Sequence, residues 1–345
     1  LSGFCVSCAT MSETSLSVLN DIQQVIRRAT RLAVATHVRP DGDAVGALLA
    51  TVTLLRKLGK QADAYCQDPP PPGHDFLEGA ESIRHLWDAG AAYDAAILVD
   101  CGEFQRVGED LARKIAQVPV LVNIDHHMNH DPFGTVAWVD PQASSTCEML
   151  YVLCRHVGVE VDKALAGQLY TGILTDTGSF RFSNTTHQVL TIAADLVARG
   201  ADPAFIAGRI YDSASPGRLH LLARVLNTVE YHADDRLATA ELTQAMFRET
   251  RTGREDAEGF INHLRSVKTV LMAILFREDP DQVVHVSLRS KDPVDVAAFA
   301  RIYGGGGHRH AAAFRMEGGL DRVREAVTQA AVALLERTAP GKPTP

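Results

Sequence analysis

Apolar positions over the first 200 residues follow two alternating rhythms. Short, largely apolar runs at 32–36, 62–65, 95–99 and 120–124 have the length of buried strands. Between and after them, stretches at 17–28, 43–58, 145–157, 163–175 and 187–199 repeat apolar residues three and four apart and predict helices. Strands that are apolar on both faces and alternate with helices predict a parallel sheet covered on both sides. After residue 228 the rhythm changes. Strands are predicted at 228–232, 237–242, 270–276 and 283–288, and helices at 256–264, 294–303 and 321–336, giving a smaller mixed α/β domain. The expected plan is α/β throughout: a parallel-sheet domain over 15–200, a helical linker over 201–228 broken at Ser215-Pro216-Gly217, and a second domain over 229–337. Residues 1–14 read as an extension, with Met11 a natural start, and the polar, proline-rich 338–345 as a disordered tail.

Composition narrows the classes. The chain is 46% hydrophobic and 22% charged, ordinary for a globular protein. No apolar run approaches the roughly 20 residues that span a bilayer. The opening residues lack the charged start of a signal peptide, so the cytoplasm is the expected location. Cys5 and Cys8 form a C-x-x-C without a second pair, and Cys66, Cys101, Cys147 and Cys154 read as reduced thiols. Net charge is −8, unevenly placed: residues 1–215 carry 16 Lys and Arg against 25 Asp and Glu, and the remainder 18 against 17. Such a balance argues against tight non-specific binding of long nucleic acid, which depends on neutralising phosphates.

The acidic half also holds the candidate chemistry. Asp125-His126-His127 directly follows the run ending at Ile124. His37, Asp41 and Asp43 follow the run at 32–36, Asp100 ends the run at 95–99, and Asp176 closes a helix before Thr177-Gly178. Open α/β sheets place ligands at strand ends. Alone, each motif has a bland reading: a turn for Asp41-Gly42-Asp43, a helix cap for Asp100. Together, His37, Asp41, Asp43, Asp100, His126 and Asp176 offer four carboxylates and two imidazoles. That donor set suits Mn²⁺, or Mg²⁺, better than a structural zinc. Four acids cannot share a pocket uncompensated, and two bridged cations would resolve the conflict. A second constellation, Gly304 to Gly307 with His308, follows Arg289-Ser290. It offers backbone amides and a guanidinium fork for an anion.

These residues resemble the DHH phosphoesterase superfamily across roughly residues 17–335, with a DHH-associated second domain. The phrases Ser144-Ser145-Thr146-Cys147-Glu148 and Asp176-Thr177-Gly178-Ser179-Phe180-Arg181 are similar to its NrnA branch of bifunctional oligoribonucleases. The resemblance implies an active site in an interdomain cleft and two metal ions. One would sit on His37, Asp41 and Asp100 near Asp176, and the other on Asp43, Asp100, His126 and Asp176. His127 would act on the phosphate as a catalytic group, with Asp125 orienting its neighbours. Arg289, Ser290, Gly305, Gly306, Gly307 and His308 would grip substrate. Implied substrates are short RNA or DNA oligonucleotides and 3′-phosphoadenosine 5′-phosphate (pAp), with a homodimer as the implied assembly. One departure stands out: Ala311-Ala312-Ala313 replaces the usual Ala-Ala-Gly. The nearest alternative substrates are cyclic di-AMP and the linear dinucleotide pApA, which need the same residues. A RecJ-like DNA exonuclease fits the length and charge less well, a family II pyrophosphatase the Gly304-to-His308 run, and a catalytically dead nucleotide sensor the complete ligand set.

Overall fold

The computed structural model describes residues 13–127, 132–212, 214–280 and 282–337, without the side chains of 13–15 and 308. Residues 1–12, with Cys5 and Cys8, and the 338–345 tail lie outside this part. The chain divides into two units, Leu1–Ser213 and Ala214–Pro345.

Unit 1 runs α1 (Glu13–Arg28), β1 (Arg31–Ala35), α2 (Gly42–Lys57), β2 (Gln61–Tyr65), β3 (Ala95–Val99), α3 (Glu109–Ile115), β4 (Leu121–Asp125), β5 (Val136–Val139), α4 (Thr146–Val157), α5 (Lys163–Asp176), α6 (His187–Ala198) and α7 (Pro203–Tyr211). Its strands are all parallel, in the order β2-β1-β3-β4-β5. Alternate residues explain the apolar runs. Leu32, Val34, Ile97 and Val99 enter the main core with α2, α4 and α5, while Ala33, Ala35, Ala96 and Leu98 enter a second core with Leu111 and Ile115 of α3. Both sheet faces are therefore dry.

Helices α2 and α5 approach unusually closely because glycines line the seam. A Cβ on Gly46 would stand 2.6 Å from the Gln168 carbonyl oxygen. One on Gly172 would stand 2.3 Å from both Asp43 Oδ1 and Cys147 Sγ. This seam brings the start of α2 beside the end of α5.

Unit 2 runs α8 (Pro216–Leu226), β6 (Glu230–His232), β7 (Leu237–Leu242), α9 (Gln244–Thr250), α10 (Phe260–Arg265), β8 (Met272–Asp279), β9 (Val283–Ser290), α11 (Val296–Arg301), β10 (Gly306–His308), β11 (Ala311–Glu317) and α12 (Leu320–Arg337). They form one mixed sheet, β10-β11-β9-β8-β7-β6. One face packs on α11 and α12 through Ile274, Phe276, Val286 and Leu288. The other is covered at β7 and β8 by α8, α9 and α10.

The stretch 201–228 is divided between the units. Ile206 of α7 lies in the unit 1 core, while Leu221 and Val225 of α8 lie in a unit 2 core. Several elements exceed the sequence reading. Helix α3 is short and mostly charged, and β5 is a four-residue edge strand. The glycine run is in part strand β10, paired with β11. Glycine and alanine carry no alternating signal, so neither strand shows in the apolar pattern. Gly305 and Gly307 fit because their α-carbons lie tight on β11: a Cβ would stand 2.3 Å and 2.4 Å from backbone oxygens of Ala313 and Ala311.

Candidate active site

The order β2-β1-β3-β4-β5 reverses direction between β1 and β3, the place where such sheets leave a crevice at their carboxyl ends. His37 lies just past β1, Asp100 just past β3, and Asp125 ends β4, so three adjacent strands deliver them together. Asp41 caps α2, its Oδ1 accepting from Ala44 N at 3.0 Å, and Asp43 lies in the first turn. Asp176 ends α5 and arrives across the glycine seam.

The six expected ligands converge. His37 Nε2 is 3.5 Å from Asp100 Oδ2. His126 Nε2 is 3.1 Å from Asp176, 3.5 Å from Asp100 and 3.9 Å from Asp43. Two groups, His37–Asp41–Asp100 and Asp43–His126–Asp176, each keep a ligand atom apiece within 4.8 Å of one another. Both histidines are oriented by backbone: Nδ1–H of His37 donates to Val38 O at 2.9 Å, and that of His126 to Ala143 O at 3.4 Å. Each Nε2 is thereby turned to the carboxylates, the arrangement that fixes a ligating tautomer. His127 stands apart from this pattern, its Nδ1 bonding Asp125 Oδ1 at 2.7 Å while its backbone N–H donates to Asp125 Oδ2.

Helix α4 holds the acids from beneath. Both oxygens of the fully buried Asp43 accept from its first turn, Thr146 N at 2.6 Å and Cys147 N at 3.0 Å. Helix N-termini favour anions in this way. The Thr146 hydroxyl donates to Asp100 Oδ1 at 3.0 Å. Ser145 caps the helix through Glu148 N, and the Glu148 carboxylate accepts from Ser144 N, so the two bonds fix Thr146 in place. Asp100 itself has φ 55°, a left-handed conformation uncommon outside glycine. Thr146 was not among the expected site residues, because its partner lies 46 positions away; only the Ser-x-x-Glu cap signal marks the helix start that carries it.

The electrostatics ask for positive charge. Burial, then the charges of Asp100 and Asp176, push Asp43 well above the usual carboxylate range. Burial raises Asp176 to about 6, opposed by His126. Burial works against Asp100 too, yet contact with His37 and the charges of His127 and His126 hold it low. Burial would lower His126, but Asp176, Asp100 and Asp43 carry it well above its ordinary value. The acids are thus reconciled only by taking up protons or by imidazolium formation, which is the chemistry of a donor set that fits divalent cations.

The second constellation separates into two faces of β9. Arg289 is half-buried and its Nη1 donates to Leu288 O. Ser290 is 1% exposed on the core side, its hydroxyl donating to Val294 O at 2.8 Å. Gly306 lies beside Ala313 with open space where a Cβ would be, and His308 is placed by its backbone opposite Ala311. Asn184, a neighbour of the site, donates to the carbonyls of Ser144 and Asp176 and so ties the 177–184 loop down.

A profile of the DHH family N-terminal domain matches residues 31–173, and a DHHA1 domain profile matches 235–336. A bifunctional oligoribonuclease and PAP phosphatase NrnA of Thermus thermophilus is 35% identical over 301 residues, covering 86% of this chain and 88% of that protein. The chain belongs to the DHH family. The Bacillus subtilis protein of the same name is 28% identical, covering 79% of this chain and 85% of its own length. Among solved structures, an exopolyphosphatase-related protein of Bacteroides fragilis superposes with a TM-score of 0.87 at 25% identity, covering 94% of this chain and all of the other. The DHH profile spans the first five expected ligands and ends three residues before Asp176. No helix among the described residues is long and apolar enough to cross a membrane.

Proposed function

We propose that this DHH-family chain is a metal-dependent phosphodiesterase that degrades oligonucleotides of two to five nucleotides to nucleoside 5′-monophosphates and removes the 3′-phosphate from pAp. The observation carrying the reading is the meeting of two donor groups, His37–Asp41–Asp100 and Asp43–His126–Asp176, through the 3.5 Å approach of His126 to Asp100. The names of the Thermus and Bacillus relatives, each matched over most of its length, supply the substrate class.

His37, Asp41 and Asp100 would hold one divalent cation and Asp43, His126 and Asp176 a second, with Asp100 shared; the oxygen-rich set favours Mn²⁺, with Mg²⁺ as substitute. When bound, such a pair supplies Lewis acidity, neutralising phosphoryl oxygens and acidifying water. The chain's own groups do the rest. Asp125 fixes the His127 ring through Nδ1, leaving Nε2 to carry the proton exchanged with the leaving oxygen. The Thr146 hydroxyl and the α4 amides keep Asp100 and Asp43 aimed before substrate arrives. Arg289 and the amides about Gly305 to Gly307 bind phosphate, and Ser290 positions the 292–294 turn from within the core.

A substrate panel tests this: pAp, a dinucleotide, a pentanucleotide, pApA and cyclic di-AMP, each with Mn²⁺ and with Mg²⁺. The reading expects turnover of pAp and of the short linear RNAs, fastest with Mn²⁺. Turnover of cyclic di-AMP alone, or none of any, would replace it.

A further inference from the structure

Strand β9 alternates half-buried and buried residues along its whole length. Val284, Val286 and Leu288 enter the unit 2 core, and His285, Ser287 and Arg289 face away from it. On β11 Ala312 and Phe314 enter the core, while Ala311, Ala313 and Arg315 share the outward face. The register pairs Arg289 with Ala311, Ser287 with Ala313, and His285 with Arg315. On the neighbouring strand Gly306 sits opposite Ala313, and a Cβ there would meet nothing within 4 Å. The face therefore has a floor of small residues with a guanidinium at each end.

Those two cations are not part of the protein's own ion pairing. Neither Arg289 nor Arg315 has a carboxylate at ion-pair distance among the described residues, whereas Arg277 on the adjoining strand is held by Asp279 at 2.9 Å. Burial, and then the charge of Arg265, press the Arg289 guanidinium down, against the opposing pull of Glu258. Four residues of register separate the arginines, about 13 Å along the strands. One phosphate cannot reach both. A chain of phosphates can, with the small residues Ala311, Ala313, Gly306 and Ser287 between the two guanidinium groups.

We propose that this face is a track for one short single strand of nucleotides, with one phosphate at Arg289 and a later one at Arg315. Arg315 is then a length-sensing contact: it engages a pentanucleotide and is out of reach of pAp or a dinucleotide. The proposal rests on the reading of Arg289 as a phosphate contact and extends it to the substrate's far end.

The test is fluorescence anisotropy with labelled penta- and dinucleotides, on the full chain with chelator present so that nothing is cleaved. Arg315→Ala is expected to weaken the pentanucleotide about five- to tenfold and to lower the salt slope of its affinity by about 0.7. The dinucleotide should bind unchanged, while Arg289→Ala weakens both. Arg315 is exposed, so an unchanged melting temperature accompanies the substitution. Unchanged pentanucleotide binding, or equal weakening of both lengths, overturns the track. A wild-type chain that hydrolyses neither oligonucleotide, yet shows the selective Arg315 effect, keeps the track and overturns the hydrolase reading instead.

Discussion

Asp176→Asn is expected to abolish hydrolysis and, in metal-free protein at pH 7, to raise the melting temperature. Activity should fall on the order of a thousandfold or more, the scale for losing one group from a preorganised electrostatic site. The gain in stability follows from the sign of the shift. Burial raises the folded-state pKa of Asp176 to about 6, above its ordinary unfolded value. The folded form therefore holds a proton that the unfolded chain releases between those two values, and at pH 7 the ionised carboxylate is a net cost. Asparagine removes that cost. Thermal melts from pH 7 downward should show the gain shrinking as pH falls below about 6 and vanishing near the unfolded carboxylate value of about 4. In wild-type protein Mn²⁺ should raise the melting temperature, and in the variant it should raise it much less. A variant less stable than wild type without metal would show that Asp176 is held by favourable contacts rather than crowded by like charge.

Gly172→Ala is expected to destabilise unit 1 and to disturb the site. Its Cβ would stand 2.3 Å from Asp43 Oδ1 and from Cys147 Sγ. Neither can easily yield, because the Asp43 carboxylate is clamped by the Thr146 and Cys147 amides on the other side. Helix α5 must move away from α2, carrying Asp176 with it. The cost should be about 1–3 kcal/mol for overpacking, with loss of cation binding beyond what that destabilisation explains. Gly167→Ala, on the same helix with nothing within 4 Å of its Cβ, is the control. It should be neutral or stabilising by up to about 1 kcal/mol from helix propensity. Melting curves and Mn²⁺ titrations of the pair check both statements, and equal behaviour of the two would remove the glycine seam from the account.

Much of the arrangement was legible in the sequence. Strands β1, β3 and β4 are buried on both faces, so their runs are apolar but for Asn123, and His37, Asp100 and Asp125 stand at their carboxyl ends. What escaped is what has no local signature. The Thr146–Asp100 bond joins residues 46 apart, and strands β10 and β11 are built largely of glycine and alanine. Ser290 is the instructive case. Val284, Val286 and Leu288 set the core parity of β9, and Ser290 shares that parity while Arg289 does not. Two-residue periodicity alone separates the pair.

The central claim is that six side chains from four segments of unit 1 hold a pair of divalent cations. Counting Mn²⁺ bound per chain, by titration of metal-free protein followed by electron paramagnetic resonance of the free ion, addresses it most directly. The account predicts two ions per wild-type chain at saturation. Saturation at none, or at a single ion, would contradict it.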